Sequence, residues 1–145
     1  MKSFYVPHPM FFGDEPAVRA IHKVCHPGNI ARPPHWYFVH PTLCVTTDGK
    51  VVGFTSFTVT VIPGFGETMY GKDLCVLPEY RGRGIAEALH GARLTIGRSV
   101  GVRIFMGVTN VDNKSMIKIL ENSGMHPCIP VGDDMLFVGP IERVM

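Results

Sequence analysis

Residues 74–86, Leu-Cys-Val-Leu-Pro-Glu-Tyr-Arg-Gly-Arg-Gly-Ile-Ala, join an apolar run, a proline turn and a glycine-rich basic segment that leads into a helix-forming stretch. Gly82, Gly84 and Ala86 are small enough for a ligand to approach the backbone closely. The first turn of a helix leaves up to four N–H groups without intrahelical partners, and the positive end of the helix dipole lies at the same place. Such a start is a ready anion site. Arg81 and Arg83 add fixed positive charge that suits phosphate. These residue types in this order predict a pyrophosphate cradle. No Gly-Lys-Ser/Thr follows the glycines, so the pattern is not that of a P-loop.

The flanking elements must place this cradle. Ser3–Val6 reads as a short first strand ended by Pro7 and Pro9. Asp14–Cys25 reads as a helix, with Asp14 as a cap, Pro16 in the first turn, and Val18, Ile21 and Cys25 on one face. His26-Pro27-Gly28-Asn29 stops it. Ala31–Pro41 is aromatic and proline-broken, and predicts a loop with an embedded extended piece. Leu43–Thr47 and Val51–Val61 are β-rich runs joined by Asp48-Gly49-Lys50, a hairpin signal. After a second turn at 61–66, Glu67–Val76 predicts the third strand of an antiparallel meander. Gly84–Val100 predicts a helix whose stripe is Ile85, Leu89, Ala92 and Ile96, closed by Gly101. Arg103–Val108 follows as a buried strand, which makes a βαβ unit with a parallel pairing. Asp112 or Asn113 caps a helix over Lys114–Asn122 that ends at Ser123-Gly124. Met135–Val138 is a last strand. The sum is one α+β domain over residues 1–145, with a mixed, mostly antiparallel central sheet flanked by helices.

Composition narrows the function classes. The chain has 145 residues, of which 46% are hydrophobic and 18% charged, enough for a proper core. A net charge of +2 and the lack of aromatics interleaved with Arg81 and Arg83 argue against nucleic acid as a partner. The four cysteines, at 25, 44, 75 and 128, form no CxxC pair, and Cys44 and Cys75 read as small core residues. A reducing cytoplasm is the simplest setting. No leader peptide or membrane-length apolar run is evident. His22, Cys25 and His26 crowd one helix end, but no further ligand follows at a recognisable spacing, so no metal is expected. They read as cationic groups near a helix C-terminus. His35-Trp36-Tyr37-Phe38 reads equally well as a pocket lining or as loop packing.

With these residues in place, the chain resembles the GCN5-related N-acetyltransferases (GNAT). Arg81-Gly82-Arg83-Gly84-Ile85-Ala86 matches their Arg/Gln-x-x-Gly-x-Gly/Ala motif in the right strand–turn–helix setting. Leu74-x-Val76 and Pro78-Glu79-Tyr80 fit the run before it, and Asn113, Met116, Leu120 and Gly124-Met125 follow a downstream frame of the family. The resemblance covers residues 43–126 well and both ends weakly. It implies the acyl-CoA N-acyltransferase fold and acetyl-coenzyme A (acetyl-CoA) as cofactor. Leu74, Cys75 and Val76 would offer backbone groups to the pantetheine arm, Arg81 to Ala86 would hold the pyrophosphate, and Asn113 would contact the arm.

The implied reaction is attack of a primary amine, of a small molecule, peptide or protein, on a thioester. An amine that titrates near ~10.4 must first lose a proton, which calls for a general base. The place of the family's frequent glutamate base is held by Tyr70, with Glu67 and Asp73 flanking it, so Tyr70, Glu67 and Asp73 are the candidate catalytic residues. The place of its frequent tyrosine acid is held by Leu120, which has no proton to give. Period-two alternation puts Glu67 and Asp73 on one strand face and Tyr70 on the other. A homodimer fits this reading, and a membrane partner does not. The alternative is a non-catalytic acyl-CoA-binding or protein-interaction module on the same fold.

Overall fold

A computed structural model describes residues 4–141. Its strands are β1 (His8–Pro9), β2 (Thr42–Thr47), β3 (Lys50–Ile62), β4 (Gly66–Val76), β5 (Ile104–Asn110), β6 (His126–Val131) and β7 (Asp134–Pro140). Its helices are α1 (Glu15–Cys25), α2 (Trp36–Val39), α3 (Ile85–Ser99) and α4 (Lys114–Asn122). The strands form one seven-stranded sheet in the order β1-β2-β3-β4-β5-β7-β6. The β2–β3, β5–β7 and β6–β7 pairs are antiparallel and β4–β5 is parallel, so the sheet is mixed. By internal contacts the described chain forms two units, residues 4–56 with Asp73–Ala92, and Phe57–Lys72 with residues 93–141.

In the first unit, the Asp48-Gly49 turn has φ of 53° and 76°. Positive φ at both central residues is the turn that matches strand twist, which is why this dipeptide closes the β2–β3 hairpin. α1 begins at Glu15 with Asp14 in the N-cap position, but the Asp14 side chain makes no cap bond. Its carboxylate accepts the backbone N–H of Phe11 at 2.9 Å in a preceding 3-10 turn, Phe12–Asp14. Val18, Ile21, Tyr37, Cys44, Phe54 and Cys75 pack as one buried cluster. Gly53 on β3 lies where a Cβ would come within 3.1 Å of Ile85 and 3.2 Å of the Cys75 carbonyl. The backbone of β3 thus packs closely under the start of α3.

Two expectations fail in this unit. The strand foreseen at Ser3–Val6 is absent from Phe4–Val6, and Ser3 lies outside the described residues. The pairing residues are instead His8 and Pro9, opposite Cys44 and Leu43. Proline is tolerated there because β1 is an edge strand. The second failure is the extended piece within Ala31–Pro41, which is the helical turn α2. Its prolines all lie outside residues 35–40, so nothing blocks the bonds from Val39 N to His35 O and from His40 N to Trp36 O, at 3.0 and 3.1 Å.

In the second unit, β4 and β5 pair in parallel from Thr68↔Ile104 to Gly71↔Gly107, as a βαβ unit requires. Asn113 is the N-cap of α4, its side-chain oxygen accepting Met116 N–H at 3.3 Å. The helix ends with Gly124 at φ 92°. Met125 N bonds Leu120 O and Gly124 N bonds Glu121 O, each at 3.0 Å, which is a Schellman stop. The sequence reading missed β6. Pro127 and Pro130 hide it, yet it pairs with β7 as the last strand of the sheet, with a register shift between Pro127 and Ile129. On the part of α3 in the first unit, Ile85 and Leu89 are buried as foreseen, and so is His90; in the second unit Arg93 is buried too. Gly97 is not a mere weak point either, since a Cβ there would meet Met69 and Ile141 at 3.0 Å.

Gly139 of β7 faces the Schellman turn so closely that a Cβ would sit 2.5 Å from Gly124 O and 2.9 Å from Met125 Cα. Backbone cannot swing aside as a flexible side chain can. Gly139→Ala is expected to destabilise the protein by about 1–3 kcal/mol, read as a lower urea midpoint with an unchanged m-value.

Candidate functional site

The cradle foreseen at residues 81–86 is a turn and a helix start. Pro78–Tyr80 forms a 3-10 turn. Gly82 and Gly84 then take φ of 77° and 89°, a region that side chains other than glycine adopt at a cost. A Cβ at either glycine would meet nothing within 4 Å, so the space above both is open. The first backbone bond of α3 runs from Ala88 N–H to Gly84 O at 3.0 Å. The amides just before it point out of the helix start, where an anion is favoured. Ile85 is buried and fixes the turn to the core.

The two arginines differ in use. Arg83 is exposed, donates to Glu79 O at 3.1 Å and lies 4.9 Å over the Tyr80 ring. Arg81 turns back, with Nε donating to Val76 O at 3.0 Å and Nη2 lying 3.6 Å from Cys25 Sγ. The Cys25 thiol also reaches Val76 O, at 3.7 Å. Hydrogen bonding with Cys75 lowers the Cys25 pKa to about 6, aided by the bond and charge of Arg81 and opposed by burial. The same pairing, with burial, pushes the Cys75 thiol up. Burial pushes Cys44 up to about 12, which makes it an inert core thiol.

Leu74, Cys75 and Val76 end β4. The parallel ladder with β5 stops at Gly71↔Gly107, so these three residues lie beyond it. Cys75 and Val76 are buried and Leu74 is half-buried. The Val76 carbonyl is already taken by Arg81 and Cys25.

The three candidate catalytic residues fall in different settings. Glu67 is exposed and Tyr70 half-buried, both in the second unit, with Lys72 Nζ 5.5 Å from the Tyr70 ring. Asp73 is in the first unit, with a side chain only 5% exposed. Its two oxygens accept a bidentate pair from Arg32, Nη2 to Oδ1 at 2.8 Å and Nη1 to Oδ2. Asn113 lies in the second unit, where its side-chain oxygen caps α4. Leu120 is buried and packs in the core.

Around Asp73 stands a group of side chains that the sequence reading did not assemble. Arg32 lies 3.6 Å over the Trp36 ring and donates to Tyr37 Oη at 3.2 Å. Arg19 on α1 holds the same segment by donating to Arg32 O at 2.8 Å and Pro33 O at 2.7 Å. His22 Nε2 lies 4.0 Å from Asp73 Oδ1. Burial opposes the charge on Arg32, but the bonds to Asp73 outweigh it and its pKa rises. Burial lowers the His22 pKa below 6.5, with Arg32 adding to the effect and Asp73 partly offsetting it. His22 is therefore a neutral buried group and not a cation at a helix end. Burial raises Tyr37, which is core, while His35 and Phe38 of the same aromatic run are exposed. Among the described residues, no three or more His, Cys, Asp or Glu cluster as a metal site. No described helix is long and apolar enough to cross a membrane.

A family model for the acetyltransferase (GNAT) family matches residues 9–125, and the chain belongs to that family. No curated protein matches the chain. Among solved structures, Arabidopsis thaliana NAA60 in complex with a bisubstrate analogue superposes with a TM-score of 0.80 at 17% identity, over 94% of this chain and 98% of that one. An N-acetyltransferase from Staphylococcus aureus Mu50 does so with a TM-score of 0.78 at 16% identity, over 97% and 100%. The Salmonella typhimurium protein yncA, solved with its cofactor acetyl-CoA, gives 0.79 at 18%, over 98% and 96%. The mixed sheet with its helices is thus the acyl-CoA N-acyltransferase fold.

Removing one partner of a buried ion pair leaves an uncompensated charge. Arg32→Met is expected to lower stability by about 3 kcal/mol, seen in chemical denaturation. Adding Asp73→Asn should restore part of that loss, so the double variant is more stable than Arg32→Met alone.

Proposed function

We propose that the protein is an N-acetyltransferase that moves the acetyl group of acetyl-CoA directly to a primary amine of a small molecule, peptide or protein. The observation that carries this reading is the sequence of events at the end of β4. A strand outruns its parallel partner, turns at Pro78–Tyr80, and enters α3 through two left-handed glycines with open space above them.

The residues present fit the cofactor. The amides of Gly82 to Ala86, with Arg83 beside them, would hold the pyrophosphate, and backbone groups of Leu74 to Val76 would line the pantetheine arm as an added strand does. Asn113 would contact the arm through the part of its amide that capping leaves free. When bound, acetyl-CoA supplies an activated acyl group on a good leaving thiol. The chain supplies position. A backbone N–H near Val76 would donate to the acyl oxygen, and the chain would hold the amine against the acyl carbon. Arg81 donates to the Val76 carbonyl and braces this turn of the chain. Glu67, Tyr70 and Asp73 are the candidate catalytic side chains of this reading, and Asp73 is held by Arg32.

A second reading is a module that binds acyl-CoA or a protein without turnover. It is favoured by Leu120, a core residue with no proton to donate, and by the closed pair at Asp73. Both readings are separated by one pair of measurements. Acetyl-CoA at about a hundredfold over its Kd should add about 2.7 kcal/mol of stability, seen as a higher melting temperature. Release of free thiol with a panel of primary amines then marks the enzyme. An unmoved melting temperature rejects the cofactor, and a shift with no thiol released across the panel favours the module.

Arg83→Glu reverses an exposed charge beside the cradle without touching the core. It is expected to weaken acetyl-CoA binding by about tenfold, or about 1.4 kcal/mol, with a smaller effect at high salt. Calorimetric titration at two ionic strengths checks both parts.

A further inference from the structure

We propose that His22 is the proton acceptor of the acetyl transfer and that it works through one water held between His22 Nε2 and Asp73 Oδ1. The proposal rests on the transferase reading above and adds the identity of the base. Four observations lead to it.

His22 Nε2 is buried and has no hydrogen-bond partner. A buried polar atom left unpaired is costly, so something small completes it. Asp73 Oδ1 lies 4.0 Å away, beyond hydrogen-bond reach. A water oxygen at about 2.8–3.0 Å from both atoms would complete Nε2 and bridge the two.

Asp73 is poorly placed to take a proton itself. Both of its oxygens already accept from Arg32, which neutralises it. His22 is different: its Nε2 has no partner, and in the Nδ1–H tautomer it offers a free lone pair. The groups facing it are His26 just past the end of its own helix, with rings 5.3 Å apart, Tyr37 from α2 at 6.5 Å, Arg32 from the segment between, and Asp73 from β4. Burial and Arg32 keep the imidazole neutral at pH 7, the state that can accept.

The site also lies next to the right backbone. Asp73 directly precedes Leu74–Val76, and its carbonyl is fixed by the Thr55 hydroxyl. The carboxylate side chain is held from the α1 side while the same strand continues into the thioester-binding stretch.

The step balances. The acceptor arrives as an ammonium ion. It gives one proton to the water, and the water passes one to Nε2, making an imidazolium. The freed nitrogen lone pair forms the C–N bond, the C–S bond breaks, and its electron pair leaves on sulfur. The second nitrogen proton goes to that thiolate. The imidazolium returns its proton to solvent, so each turnover yields one amide, one thiol and one proton.

Two experiments on the full chain test this. In a crystal structure of the coenzyme A complex, a water within hydrogen-bond distance of both His22 Nε2 and Asp73 Oδ1 is expected. No water there, or Nε2 paired with a protein group, overturns the proposal whether or not His22 variants fold. The second experiment uses ethylamine as acceptor and compares the wild type with His22→Gln across about pH 5 to 9. The wild-type kcat should fall as the pH drops through a value below 6.5. His22→Gln should lose about a hundredfold in kcat and lose that acid limb, with the KM for acetyl-CoA nearly unchanged. A variant with wild-type kcat and the same acid limb overturns the proposal. Failure of the transferase reading looks different, since then the wild type itself releases no thiol, and the proposal falls with it.

Discussion

A carboxylate inside a protein must be matched, and the match at Asp73 organises the first unit. Desolvating one charge is expensive, and only a close, well-bonded partner recovers the cost. Arg32 provides it in the geometry that carboxylates favour, with two parallel bonds. The guanidinium is in turn pressed on Trp36 and bonded to Tyr37, and Arg19 grips the carbonyls around it. A segment with two adjacent prolines and little regular structure is thereby fastened to β4 and α1. The pair acts together with the buried Tyr37 ring and the bonds of α2 to hold residues 31–41 in place.

β4 divides its labour along its length. Its first half belongs to a parallel ladder with β5 and is satisfied by strand pairing. Its end is held by side chains: Thr55 on the Asp73 carbonyl, and Arg81 with Cys25 on the Val76 carbonyl. Arg81, which the motif presents as a phosphate ligand, is here mainly a brace. The same brace puts a guanidinium against Cys25, where it adds to the lowering of that thiol's pKa that comes first from Cys75.

What could be read in the sequence was local chemistry. Asp48-Gly49 forces a turn, Gly124 ends a helix, and Gly82 and Gly84 permit a left-handed entry into α3. Each of these is a property of one or two residues and their own backbone. The pair between Arg32 and Asp73 is not of this kind. The two residues are far apart in the chain, and no periodicity links them. His22 was visible as a histidine, but its neutrality follows from burial and from Arg32, which only the fold brings near. Prolines misled in both directions. They suggested an irregular stretch where α2 forms between them, and they hid β6 because a strand with two prolines reads as a loop.

The prolines have a further meaning at the sheet's margins. β1 carries Pro9 and β6 carries Pro127 and Pro130, and these strands are the two ends of the sheet. An open edge is a row of unused donors and acceptors on which another chain can grow. Each proline deletes one donor from that row and holds the backbone off the pleat. Neither margin therefore offers a regular template for a further strand. Self-association of folded molecules through continuous sheet is thereby disfavoured at both of these strands.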